Sequence, residues 1–254
     1  MKPWKVYVVL YGSRMASTSV FLLGDLHDTP MPMNYYVWGL TNGEQTVVID
    51  TGFNERTAKQ RNREMLCTPM DGLAKVKIDA RKVEHVVVTH LHWDHIGNWD
   101  QFPNATYYLQ ESELHFCAGR HAAYPVFKKS LEGDEIAGVV KLLYNGRVRL
   151  INGTVDILPG IRVHKVGGHT AGMQIVEVQT AQGTAVLASD ASHSYRNFLE
   201  NTPFPVLHDI PGVLDGYELM RRLASREDLV LPGHDPDVLN RFPAVADGVV
   251  QFGG

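Results

Sequence analysis

The chain has 254 residues, a formal net charge of −4 and a pI near 6.3, with 44% apolar and 20% charged residues. These are the proportions of a globular protein able to bury a sizeable core, and they carry no basic run for nucleic acid or an anionic membrane. No stretch of about 18 apolar residues is present, so no membrane-spanning helix is expected.

Met1-Lys2-Pro3-Trp4-Lys5 leads directly into an alternating pattern, without the apolar core of a signal peptide. Cys67 and Cys117 sit in no CxxC or Cys/His pattern, so two reduced thiols and a cytoplasmic location are expected. No Ser/Pro linker or low-complexity segment divides the chain, and we read residues 1–254 as one domain.

Short runs rich in β-branched and aromatic residues predict strands at Val6–Leu10, Ser19–Leu23, Tyr35–Leu40 and Thr46–Asp50. Asn42-Gly43 is a hairpin turn between the last two. Asn54–Leu66 reads as a helix with Asn54 as its N-cap. Glu84–Thr89 is an apolar run of the buried-strand kind, ending at His90. Further strands are expected at Val155–Leu158, Ile161–Val166, Gln174–Val178, Thr184–Ala188 and Leu229–Leu231, with a helix over Gly216–Ala224. Strands first, then a helix and a strand, twice over, suggest two packed sheets with helices outside. Gly119–Asn145 and Ser192–Pro211 fit least well and read as loops or short helices near a site.

Three of the twelve histidines fall in the run His90-Leu91-His92-Trp93-Asp94-His95. In extended chain, residues two apart point the same way, so His90 and His92 can meet on one ion. Asp94 and His95 follow where the chain turns and can aim at a second point. Imidazole suits zinc and its neighbours, and a carboxylate adds a hard oxygen ligand. Three more ligand types end predicted strands: His169 in Gly167-Gly168-His169-Thr170-Ala171-Gly172, Asp190 after Val186-Leu187-Ala188-Ser189, and His234 in Pro232-Gly233-His234-Asp235. Each alone reads as a turn or cap residue. After the first cluster, ligands from several strand ends can converge on one edge.

The ordered set HLHWDH, GGHTAG, Asp190 and PGH resembles the metallo-β-lactamase superfamily, and Asp50-Thr51-Gly52 resembles its early aspartate turn. The resemblance implies an αββα sandwich, two mixed β-sheets with helices on the outer faces, and a dinuclear centre at the sheet edge. It places His90, His92 and His169 on one metal, Asp94, His95 and His234 on the other, and Asp190 across both. Asp50 would orient a ligand histidine. Two Zn ions per chain are implied, with Mn, Fe or Co as other occupants.

Within the superfamily the chain is most similar to the N-acyl homoserine lactone (quorum-quenching) lactonases. That implies hydrolysis of such a lactone, or a related small lactone, by attack of a metal-bridging hydroxide. Asp94 would shuttle the proton. The lactonases usually carry a tyrosine three residues after the bridging aspartate; here that position is His193, with Tyr195 two residues on. His193 is the candidate polar helper. Trp93, Tyr35, Tyr36, Trp38 and Phe116 are candidates for an apolar wall. The alternatives are a glyoxalase II-like thioesterase or a phosphotriesterase of the same superfamily; a metal-bound sensor or redox module fits less well. The expected partner is a small lactone or ester, with the protein a monomer or homodimer.

Overall fold

The structure is a computed structural model that describes residues 2–254. The chain opens with a long hairpin. β1 (Lys5–Ser17) and β2 (Pro30–Thr41) pair antiparallel from Lys5↔Thr41 to Ser17↔Pro30, and the short helix α1 (Thr18–Phe21) lies between them. β3 (Thr46–Ile49) returns across the Asn42-Gly43 turn, where the Asn42 carboxamide oxygen accepts from the backbone N–H of Glu44 and Gln45. Next come α2 (Glu55–Arg61), β4 (Glu64–Met65), α3 (Pro69–Ala74) and β5 (His85–Val87). The first half closes with α4 (Trp93–Ile96), β6 (Thr106–Gln110), α5 (Glu111–Cys117), α6 (Pro125–Lys128), α7 (Gly133–Tyr144) and β7 (Val148–Ile151).

The second half runs β8 (Thr154–Leu158), β9 (Ile161–Lys165), β10 (Gln174–Thr180), β11 (Gly183–Ser189), α8 (Tyr195–Glu200), α9 (Ile210–Leu223) and β12 (Val230–Pro232). It ends in α10 (Val238–Arg241), β13 (Ala244–Ala246) and β14 (Val249–Phe252). One sheet has the order β13-β14-β1-β2-β3-β5-β6-β7, with β4 also on β1; the other has the order β12-β11-β10-β9-β8. Both are mixed: β3, β5, β6 and β7 pair parallel, and so do β11 and β12.

The period of two explains the layers. Along β2, Tyr36, Trp38 and Leu40 point into one core with Val163, Ile175 and Leu187 of the second sheet. Tyr35 and Val37 point the other way, into a core shared with Leu73 of α3, Leu114 of α5 and Ile136, Val139 and Leu142 of α7. Val213, Tyr217 and Met220 of α9 cover the second sheet. The result is the expected αββα sandwich. Among the described residues, no helix is long and apolar enough to cross a membrane.

Several element expectations need correction. Ser19–Leu23 is not a strand: Thr18–Phe21 forms a helical turn, closed by the Thr18 N–H donating to Thr29 O, and Phe21 is buried. An apolar run that must reverse the chain at a hairpin end cannot stay extended. The helix expected over Asn54–Leu66 stops at Arg61, because Asn62 takes a left-handed conformation (φ 50°) and the chain turns to pair β4 with β1. Its N-cap is as expected: Asn54 Oδ1 accepts from the Thr57 N–H at 2.9 Å. The strand expected at Glu84–Thr89 shortens to His85–Val87, and the helix expected over Gly216–Ala224 begins at Ile210, with Asp209 as its cap. The doubtful segments Gly119–Asn145 and Ser192–Pro211 hold α6, α7 and α8. β6, β7, β13 and β14 were not anticipated.

Candidate metal centre and active site

Parallel strands end together, and this brings the site to one edge of the sandwich. Asp50 follows β3, His90 follows β5, Asp190 follows β11 and His234 follows β12; His169 comes from the loop between β9 and β10. His92 precedes the short helix α4, which carries Asp94 and His95.

All the predicted ligand side chains converge. The donor atoms of His90, His92 and His169 lie within 4.8 Å of one another, and so do those of Asp94, His95 and His234. His169 Nε2 is 2.9 Å from His92 Nδ1. Asp94 Oδ2 is 3.8 Å from His95 Nε2 and 3.7 Å from His234 Nε2. Asp190 stands between the groups. Its Oδ1 is 3.3 Å from His95 Nε2, and its Oδ2 is 3.1 Å from His234 Nε2 and 3.5 Å from His169 Nε2. Gly233 permits this packing, since a Cβ there would fall 2.5 Å from Asp190 Oδ1.

The ring nitrogens facing away from the centre are held by the fold. His95 Nδ1 lies 2.8 Å from Asp50 Oδ2, His169 Nδ1 lies 2.7 Å from Val206 O, and His234 Nδ1 lies 2.8 Å from Asn34 O. Asp50 also accepts from the Thr89 N–H at 2.7 Å and the Thr89 hydroxyl at 2.8 Å. Such contacts fix each tautomer and leave Nε2 facing inward as a lone pair. His90 Nε2, His95 Nε2 and Asp190 Oδ1 are buried without a hydrogen-bond partner. Buried polar atoms are ordinarily paired, so inward-facing lone pairs of this kind fit cations.

Burial and neighbouring charges divide the histidines into two sets. Burial pushes His90 and His92 well below the usual imidazole range, and pushes His169 down to about 3. Burial also opposes a charge on His95, but Asp190, Asp50 and Asp94 outweigh it and hold that pKa well above the usual value. His234 is raised in the same way by Asp190 and Asp94. Burial would raise Asp190, but His234, His95 and His193 keep it well below the carboxylate range.

His193 reaches the same edge. Its Nε2 is 3.1 Å from Asp190 Oδ2, and its ring stacks on Phe204 at 3.6 Å between centroids. Burial lowers its pKa, outweighing the opposing pull of Asp190. Tyr195 does not line the cleft: it is buried beneath Arg241, whose guanidinium lies 3.5 Å from its ring centroid. Among the candidate wall aromatics, Tyr35 and Trp93 line the cleft beside His92, Asp94, Asp190, His193 and His234. Tyr36 and Trp38 do not, because alternation along β2 sends them between the sheets. Phe116 lines a small enclosed void behind His92 and His169.

Sequence reasoning missed Glu113. This fully buried carboxylate on α5 accepts from the Leu91 N–H at 2.9 Å, the Thr170 hydroxyl at 2.7 Å and the Gly172 N–H at 2.8 Å. It splices the loop carrying His90 and His92 to the loop carrying His169. The only trace in the sequence is Gly172, where a Cβ would fall 2.4 Å from Glu113 N.

Residues 29–234 match the metallo-beta-lactamase superfamily. The chain belongs to that superfamily. Among individual metallo-beta-lactamase relatives, an N-acyl homoserine lactonase from Bacillus sp. is 25% identical over 254 residues, covering 91% of this chain and 93% of that one. A solved structure of Bacillus thuringiensis AiiA with N-decanoyl-L-homoserine at its active site superimposes with a TM-score of 0.81 at 21% identity, over 96% of this chain and 98% of that one. An N-acyl homoserine lactone hydrolase, solved with N-hexanoyl-L-homoserine at its catalytic metal centre, gives a TM-score of 0.79 at 21% identity over the same shares. These structures share the metallo-beta-lactamase fold found here.

Proposed function

We propose that this protein is a two-metal hydrolase that opens a lactone ring, either an N-acyl homoserine lactone or a related small lactone. The observation that carries the reading is the meeting of two donor groups of three side chains at Asp190: the run from His90 to His95 after β5 supplies four of them, and His169 and His234 arrive from other strand ends. Similarity to lactonases over most of the chain supports the substrate class.

On this reading His90, His92 and His169 would hold one ion, Asp94, His95 and His234 would hold the other, and Asp190, which stands between the two groups, would serve both. Zn fits the donors, and Mn, Fe or Co would also be accepted. When bound, two such cations polarise a carbonyl and lower the pKa of a shared water. Asp94, on the cleft wall, takes the proton of the attacking water and returns it to the departing ring oxygen. His193 presents an N–H beside Asp190 and directs it to an oxygen of the bound substrate. Tyr35 and Trp93 exclude water from one side.

The same proposal has residues 1–254 act as one domain, as a monomer or homodimer, in the cytoplasm. The unpaired Cys67 and Cys117 support that location. Initial rates on a lactone, a thioester and an aryl phosphotriester, at equal concentrations of the metal-loaded protein, test the activity. The lactone should be fastest by at least tenfold. A faster thioester or phosphotriester would overturn the lactonase reading.

A further inference from the structure

The mouth of the cleft is cationic, although the chain as a whole is acidic. Arg14, Arg61, Arg63 and Lys129 line it together with Tyr35 and Trp93. Arg61 is neutralised by Glu132, its Nε at 3.0 Å and its second nitrogen at 2.6 Å from Glu132 Oε1. The other three have no carboxylate within 4.0 Å among the described residues. Arg14 Nε donates to Met33 Sδ at 3.3 Å, a weak acceptor. Arg63 Nε donates to the Tyr35 hydroxyl at 2.9 Å, and its guanidinium lies 5.6 Å from the Trp93 ring centroid. Burial lowers the Arg14 pKa and the Arg63 charge adds to this, against the opposing pull of Tyr35 and Asp94.

Like charges gathered in a half-buried wall repel one another and lose hydration unless an anion answers them. The acids on the same wall, Asp94 and Asp190, are committed to the centre described above. The cations are also connected to that centre. Tyr35 accepts from Arg63, and its ring centroid is 5.2 Å from that of His234. The space is small: the cleft holds about 200 Å³ and the void behind His92 about 30 Å³. Ligand pockets for drug-sized molecules run from about 300 to 1,000 Å³.

We propose that the substrate is a compact lactone carrying a carboxylate, received by Arg14, Arg63 and Lys129 at the cleft mouth while the ring carbonyl lies against the His/Asp centre. The proposal rests on the lactonase reading and narrows it, since an N-acyl homoserine lactone is uncharged and leaves these cations unanswered. Water adds to the ring carbonyl, the ring C–O bond breaks, and the ring oxygen takes the proton, so the product is a hydroxy diacid. Arg14, whose hydrogen bond uses only Nε, presents its two terminal nitrogens as paired donors that match a carboxylate, and Arg63 adds its Nη2, since its Nη1 donates to Arg61 O and Asn62 O.

The test is the ratio of kcat/KM for a γ-butyrolactone carboxylate to that for its primary amide, measured with the metal-loaded protein. The ratio should be about tenfold or more, the scale of a charge-assisted contact. It should shrink in high salt, because the mouth is open to screening ions. Arg63→Gln and Arg14→Gln should bring it toward one. Lys129→Gln, at an exposed side chain whose loss leaves the core intact, should lower it in part. A wild-type ratio near one, or variants that slow both lactones equally, would overturn the proposal.

Calorimetric binding of the ring-carbon analogue, a cyclopentanone carboxylate, against its amide separates this proposal from the lactonase reading. Tighter binding of the carboxylate, lost in Arg63→Gln, upholds the anion site even if no lactone is hydrolysed. Hydrolysis of both lactones without charge preference upholds the lactonase and removes the anion site.

Discussion

Glu113→Gln is the most informative single substitution away from the proposed ligands. The carboxylate accepts the Leu91 N–H on Oε1, and the Thr170 hydroxyl and Gly172 N–H on Oε2. Glutamine keeps the shape but turns one oxygen into a donor. With its oxygen at the Oε1 position, its NH₂ opposes the Gly172 N–H. Flipped, it opposes the Leu91 N–H. The Thr170 hydroxyl can rotate to adapt; a backbone N–H cannot. Either orientation orphans one buried N–H, at a cost of about 1–3 kcal/mol. At roughly 2–4 °C per kcal/mol for a chain of this length, metal-free protein should melt about 2–12 °C lower. Because Leu91 separates His90 from His92 and Thr170 follows His169, metal affinity should also fall, by about 10- to 100-fold on the scale of lost ligand-orienting contacts. Calorimetric melting and competition with a chelator read the two effects separately. A melting point and a metal affinity both equal to the parent's would refute the splice assigned to Glu113.

Other outcomes follow from individual side chains. His193→Phe keeps the stack on Phe204 but removes the imidazole beside Asp190, and kcat for lactone opening should drop about 100-fold, the lower range for an acid–base group, with metal content unchanged; unaltered kcat would remove His193 from the reaction. Glu135 on α7 is buried, and its pKa is pushed up to about 8 by burial and by Glu132. The unfolded chain releases that proton near pH 4.3, so stability falls as pH rises between those values and levels off above them, at up to about 1.4 kcal/mol per pH unit. Glu135→Gln should therefore flatten the decline in melting temperature from pH 5 to pH 8, and parallel profiles for the two proteins would show that the carboxyl ionises freely.

What the sequence made legible was the chemistry carried by rare residue types in order. His90, His92, Asp94 and His95 are legible because few other uses call for so many ligand types in one short run. His169, Asp190 and His234 are legible because each follows a strand. The order of strands and helices was also readable, and with it the layers. The rest depends on contacts between distant segments. Ser19–Leu23 has the composition of a strand, yet it closes a hairpin whose pairing is set by β1 and β2. Tyr36 and Trp38 look like wall aromatics until the register turns them away from Tyr35. Glu113 resembles any helical glutamate until Leu91, Thr170 and Gly172 are brought to it. Arg14, Arg61 and Arg63 lie far apart or among ordinary charges in the sequence, and only the packing of β1 against β4, with α2 ending beside it, sets them around one cleft.

Metal titration tests the central claim most directly. Protein stripped with a chelator is titrated with Zn while proton release from lactone hydrolysis is followed. The account predicts no turnover without metal, a rise that saturates at two equivalents per chain, and a loss of several orders of magnitude for Asp190→Ala at saturation. Full activity in the stripped protein, or saturation at one equivalent with Asp190→Ala only a few-fold slower, would contradict it.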